Sequence, residues 1–283
     1  MNIQHLAIKL ARATTLPVFS KVVKQVLTLA ENPNASAREY ELVIGQDTAL
    51  SAKIIRTANS TFYNRGAQIT TLQRAIVQLG NSTIRSICLA VGFKSSVDAV
   101  SCNKHFDSKV FWQHSLAVAC TAKLIACLRN QPLAEEAFMA GMMHDIGKLA
   151  LAMFLPGEAE YVYRLMELRN VSQYEAEMEA LKLSHQDIGQ MVAERWELPG
   201  VYLSSITSHH APPLEVVFED PLVSYVHIAN ALTYSTGLGL GPAGEMNQVD
   251  PMIQDMLELD PSVYDKINRV VANEVAQLSV QMG

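Results

Sequence analysis

Residues 141–148 read Gly-Met-Met-His144-Asp145-Ile-Gly147-Lys148. An imidazole and a carboxylate on neighbouring residues can ligate one metal ion or work as an acid/base pair. The dipeptide alone says little, because 8 His and ten Asp in 283 residues give about 0.3 such pairs by chance. Its surroundings say more. His114 lies thirty residues upstream on a stretch of helical periodicity. Six of the eight histidines fall between 114 and 227: His114, His144, His185, His209, His210 and His227. Side chains so distant in sequence meet only if several helices aim them into one groove. Lys148 is placed to meet an anion. Gly147 either ends its helix or lets another backbone come close. A single histidine on a packed helix is more often a hydrogen-bonded core residue than a ligand, so the chemical reading depends on convergence.

The elements that must carry these residues read as helices. Val22, Val23, Val26, Leu27 and Leu29 form an apolar stripe, closed by Asn32-Pro33-Asn34. Ser36-Ala-Arg-Glu39 is a capping-box pattern, and Asp47 is placed to cap the next helix. Thr70-Thr-Leu-Gln73 gives a second box, leading into a helix that stops at Gly80, and another helix starts near Ser82. Two long helices are expected, from about Ser108 to Leu128 and from Ala134 to about Leu149. His114 then sits among Phe111, Ser115, Val118 and Ala122, which marks its face as inward. Ser172-Gln-Tyr-Glu175 is a third box. Asp220-Pro221, Asp250-Pro251 and Asp260-Pro261 each put an N-cap before a proline at the first helical position. No alternation of strand type appears. Gly237-Leu-Gly-Leu-Gly241-Pro242-Ala-Gly244 lacks the Lys-Ser/Thr of a phosphate-binding loop and reads as a connection. The fold class is all-α.

Composition permits a full core: 49% of residues are hydrophobic and 18% charged. No run of eighteen apolar residues occurs and the N-terminus lacks a secretory pattern, so a cytoplasmic protein without membrane spans is expected. Cys88, Cys102, Cys120 and Cys127 have no CxxC spacing and read as buried free thiols. The net charge of −6 is uneven: residues 1–100 carry 11 Lys+Arg against 5 Asp+Glu, and residues 101–283 carry 11 against 23. Two lobes are expected, over 1–104 and 105–283. The basic residues Lys53, Arg56, Arg65, Arg74 and Arg85 are too scattered, and too poor in interleaved aromatics, for a nucleic-acid surface.

These motifs resemble those of HDOD-domain proteins, a bacterial branch of the HD superfamily of helical metal-dependent phosphohydrolases. In the first lobe the likeness rests on Leu16-Pro17, on Asp47-Thr-Ala-Leu50 with Ala58-Asn59-Ser60, and on Ala75-Ile76-Val-Gln-Leu79-Gly80. In the second it rests on Trp112-Gln-His114-Ser115, the His144-Asp145-Ile-Gly-Lys148 run, Ser184-His185-Gln-Asp-Ile-Gly189, Trp196-Glu-Leu-Pro199 and Ser208-His209-His210. The resemblance implies a helical N-terminal lobe packed on a multi-helical HD-like core, in a family regarded as signalling or regulatory.

It also implies a metal set. His114, His144 and Asp145 match the first three ligands of catalytic HD proteins. The late aspartate of that pattern is here Asn230, a neutral and weaker ligand, which puts hydrolysis in doubt more than metal occupancy. By resemblance to the HD-GYP branch, His185, His209 and His210 could take a second ion, although the Gly-Tyr-Pro motif of that branch is missing after His210. The implied cofactor is a divalent metal: Fe, Mn, Mg or Zn. The first expectation is a regulatory protein with a degenerate metal site, binding a protein partner or a small signalling nucleotide rather than turning it over. The alternative is a metal-dependent phosphohydrolase of nucleotides or cyclic dinucleotides, with Asp145 and Lys148 as catalytic residues and Lys148 on the phosphate.

Overall fold

The computed structural model describes residues 20–30, 32, 34–64, 66–100, 106–196, 198–240, 248–260 and 262–282. The sequence readings at Leu16, Pro17, Pro33, Arg65, Cys102, Gly241, Pro242, Gly244 and Pro261 lie outside the described residues. Among the described residues there are fifteen α-helices, two 3-10 turns and no strand.

Local chemistry sets where the first helices begin. Helix α1 (Lys21–Ala30) buries Val23 and Val26. Helix α2 (Ala37–Ile44) starts at the Ser36–Glu39 capping box, with both reciprocal hydrogen bonds made. Helix α3 (Thr48–Ala58) starts where Asp47 accepts a hydrogen bond from the Leu50 amide at 2.9 Å. Helix α4 (Leu72–Asp98) is capped by Thr71, one residue later than expected and by a single side-chain bond to Arg74 N. At Gly80 the backbone turns to φ 77° and ψ 165°, so α4 is two helices joined at a kink, as the glycine predicts.

The second half surrounds one central helix. Helix α5 (Ser108–Arg129) packs against α4, α6 (Ala134–Met143), α13 (Pro221–Ser235) and α15 (Ser262–Met282). The helix expected to run on to Leu149 instead breaks at His144-Asp145, and α7 (Ile146–Phe154) starts afresh. Then follow α8 (Pro156–Arg169), α9 (Gln173–Leu181), α10 (His185–Arg195), α11 (Leu203–Ser208) and α12 (Leu214–Glu219), with α14 (Pro251–Met256) ahead of α15. The boxes at Ser172 and Ser184 start α9 and α10, and Asp220 and Asp250 cap α13 and α14.

Buried hydrophobic side chains form two clusters. One runs from Val23 to Val91, and the larger one runs from Leu89 to Leu278 around α5. By length and composition α4 and α5 could each cross a membrane, but 56% and 78% of their apolar windows are buried inside the fold. Cys88 and Cys120 are buried free thiols, as expected, whereas Cys127 is exposed. Burial pushes the Cys88 and Cys120 thiols up to about 12, which leaves them unreactive.

Candidate metal centre

Two close helix crossings place the histidines. A Cβ on Gly141 would stand 2.8 Å from the Ala119 Cα, so only glycine lets α6 lie this close to α5. That crossing sets His144 beside His114, with their Nε2 atoms 3.3 Å apart. A Cβ on Gly147 would stand 1.8 Å from the His185 carbonyl oxygen. Of the two roles open to Gly147, the structure shows close backbone approach. This brings α7 onto the start of α10 and sets His185 against Asp145.

Asp145 lies at the centre. Its Oδ2 is 3.3 Å from His144 Nε2 and 3.5 Å from His114 Nε2. Its Oδ1 is 3.4 Å from the Nε2 atoms of both His185 and His209. His210 Nε2 lies 3.0 Å from His185 Nε2. Two donor groups result, His114/His144/Asp145 and Asp145/His185/His209/His210, with the donor atoms of each within 4.8 Å of one another. All six side chains are buried, none more than 5% exposed.

The other ring nitrogens decide what these Nε2 atoms are. His114 Nδ1 is 2.8 Å from the Leu238 carbonyl, His144 Nδ1 is 2.7 Å from the Gly141 carbonyl, and His209 Nδ1 is 2.9 Å from the Ser205 carbonyl. A carbonyl only accepts, so each Nδ1 carries the proton and each Nε2 presents a lone pair. His185 Nδ1 likewise donates to Glu177 Oε2 at 2.7 Å, and the same oxygen accepts the His185 amide at 2.6 Å. Lone pairs facing one another across 3.3–3.4 Å repel unless they share a cation. A proton is disfavoured as that cation. Burial lowers His114, with the Asp145 hydrogen bond opposing, and burial lowers His209 to about 3. Burial raises the Asp145 carboxyl, but the surrounding imidazoles and the Lys148 ammonium outweigh it and hold the group well below the usual range. The oxygen of Asp145 facing His185 has no hydrogen-bond partner, nor has the buried Asn230 Oδ1. Imidazole lone pairs around a shared carboxylate suit a transition-metal ion.

Lys148 donates to Asp145 Oδ2 at 2.7 Å and is 3% exposed. Burial lowers its pKa, but the Asp145 carboxylate, Tyr234 and Glu177 outweigh this and raise it, so it is cationic. His227 stands apart from the cluster. Its Nδ1 donates to the His209 carbonyl at 2.9 Å and its Nε2 accepts from the Asp250 amide at 3.0 Å, so both nitrogens are used structurally.

Sequence reasoning missed two supports of the site. Glu177 is a fully buried carboxylate on α9, held by Gln173 Nε2 at 2.8 Å. The Ser172–Glu175 box fixes where α9 starts, and hence which face carries Glu177, but nothing local pointed to His185. The glycine-rich segment read as a connection also supplies the Leu238 carbonyl that anchors His114.

The sequence profile of the family described as HDOD domain matches residues 16–212. An uncharacterized protein of Treponema pallidum (strain Nichols) is 23% identical over 223 residues, covering 77% of this chain and 42% of that protein. The chain therefore spans less than half the length of this curated relative. An HDOD domain protein of unknown function from Geobacter sulfurreducens superposes with a TM-score of 0.75 at 23% identity, over 98% of this chain and 96% of the other. A protein from Shewanella amazonensis SB2B, provisionally named a phosphohydrolase, gives 0.72 at 22% identity over 97% and 98%. At such identities the likeness establishes the all-helical fold.

Proposed function

The chain belongs to the HDOD domain family, and from that premise we propose that it is a regulatory module built around a divalent metal centre, binding a protein partner or small signalling nucleotide without turning it over. The reading is carried by the convergence of fixed Nε2 lone pairs on both oxygens of Asp145. His114, His144 and Asp145 would hold one ion, and Asp145, His185, His209 and His210 a second, with Asn230 as a neutral oxygen donor to the first. The nitrogen-rich donor set favours Zn, Fe or Mn over Mg, which prefers oxygen ligands. Regulation is favoured over turnover because Asn230 stands in the sequence where the resemblance calls for an aspartate ligand, which leaves the charge of the first ion less compensated.

A second reading, a metal-dependent phosphohydrolase, is favoured by the cavity that Lys148 lines and by the provisional name of the Shewanella structure. A bound ion would supply Lewis-acid polarisation of a phosphate oxygen. In that case Lys148 would hold a phosphate oxygen, Asp145 would set the charge of the site, and the buried walls would exclude bulk water.

Metal analysis tests the centre that both readings share, and a turnover assay separates them. Protein purified without added metal and then exposed to Zn²⁺, Fe²⁺ or Mn²⁺ is expected to retain up to two ions per chain. His144→Ala and His209→Ala should each lose part of that content. A chain that stays empty in all of these ions removes the metal role. Bis(4-nitrophenyl) phosphate is expected to survive incubation with the loaded protein. Turnover that disappears in Asp145→Ala would replace regulation with hydrolysis.

A further inference from the structure

Beside the cluster lies a cavity of about 210 Å³. Val110, Phe111, Tyr163 and Met166 make its walls apolar, and Lys148 and Gln173 supply polar groups. Asp107 also lines it, but its carboxylate already accepts the Lys109 and Val110 amides at 2.9 and 3.0 Å, capping α5. Both Lys148 and Gln173 connect to the metal donors. Lys148 Nζ lies 2.7 Å from Asp145 Oδ2, the oxygen that faces His114 and His144. Gln173 holds Glu177, and Glu177 holds His185.

Charge sets up a competition at Asp145. In the structure the ammonium of Lys148 neutralises Asp145. An ion shared by His114, His144 and Asp145 must compete with that ammonium for the same oxygen. The displaced ammonium would then be a buried cation facing a dication, which is unfavourable without a second anion. The cavity is the space next to Lys148 that could hold one.

We propose that this cavity binds a small organic anion, with an apolar or aromatic body and a carboxylate, phosphonate or phosphate head, and that it couples to metal loading by drawing Lys148 away from Asp145. This rests on the metal part of the function proposed above. The volume holds a body of roughly ten non-hydrogen atoms at protein packing density, too few for a dinucleotide. The coupling is reciprocal: the anion tightens the metal and the metal tightens the anion by one factor.

Phenylphosphonate is a suitable probe, because its carbon–phosphorus bond is not a phosphoester. Zn²⁺ affinity of the full chain is measured by competition with a chromogenic chelator, with and without saturating phenylphosphonate. The expected result is tightening by about 5- to 150-fold, with the same factor recovered when Zn²⁺ is held saturating and phenylphosphonate is titrated. Val110→Trp narrows the cavity from a position 41% exposed, where the fold tolerates bulk, and should keep Zn²⁺ binding while losing the coupling. Lys148→Met removes the competing ammonium, so Zn²⁺ should bind tightly with no dependence on the anion. Zn²⁺ binding indifferent to phenylphosphonate in the wild type overturns the coupled site and leaves the metal reading intact. A coupling that survives Lys148→Met means the anion reaches the metal directly, and overturns the role given to Lys148. A chain that binds no Zn²⁺ under any condition removes both this inference and the metal centre.

Discussion

Each imidazole of the cluster is worth what its second nitrogen makes of it. Three are fixed by backbone carbonyls, and His185 by the Glu177 carboxylate. His210 differs, because its Nδ1 is buried without a hydrogen-bond partner. Glu177 does more than the carbonyls do: it fixes the tautomer of His185 and raises the basicity of the donating nitrogen. Glu177→Gln keeps the volume and removes the charge. It is expected to weaken metal binding by about 10- to 100-fold, read by chelator competition. Unchanged affinity would make Glu177 a buried helix anchor and nothing more. None of this was legible in the sequence. His114, His144 and Asp145 could be picked out because their motif is contiguous or periodic. Glu177 and the Leu238 carbonyl act on residues eight and 124 positions away, so no local pattern carries them.

The helices show what sequence does encode well. Ser36, Asp47, Ser172, Asp220 and Asp250 cap where their side-chain chemistry says they should, because capping is a matter of three or four neighbouring residues. The break at His144-Asp145 was harder to see, since no proline marks it and Asp145 stands at the N-cap of α7 without a side-chain capping bond; it lies where α7 packs on α10. Gly147 lies on this contact and offers a test of sign. Helix propensity alone makes Gly→Ala stabilising by roughly 1 kcal/mol. At Gly147 the added carbon would meet a backbone oxygen at 1.8 Å, so packing should win. Gly147→Ala is expected to destabilise by about 1–3 kcal/mol or more, and to weaken metal retention by displacing His185. At Gly157, in α8, a Cβ meets nothing within 4 Å, and Gly157→Ala should stabilise by up to about 1 kcal/mol. Urea unfolding of the two variants should therefore shift in opposite directions. A stabilising Gly147→Ala would mean that the α7–α10 crossing has slack.

At the scale of the whole molecule, the two hydrophobic clusters are joined by polar contacts as well as by α4. Lys123, on α5, points at Phe62 and Tyr63 with its Nζ 5.0 and 4.3 Å from the ring centres, and pairs with Glu135. Thr61 donates to Glu274 on α15, which returns to pack on α3. The buried histidines make the stability of this assembly depend on pH in one direction. Burial holds His209 at about 3 and also lowers His114, His210 and His227, so the native state resists protons that the unfolded chain takes up below its ordinary value of 6.5. Where the unfolded state binds more protons, stability falls as pH falls. For His209 alone the loss between pH 8 and pH 5 is about 2 kcal/mol, and the other three histidines add with the same sign. Asp145 does not reverse the trend: its depressed value keeps its contribution through this window and surrenders it only at lower pH. Metal-free protein should therefore show a falling urea midpoint from pH 7 to pH 5. Saturating Zn²⁺ at pH 7 should raise that midpoint, by about 2.7 kcal/mol at a hundred times the dissociation constant. A midpoint flat across the acid range would mean that water or protons reach the cluster in the native state, and that the imidazoles are not held neutral for a metal.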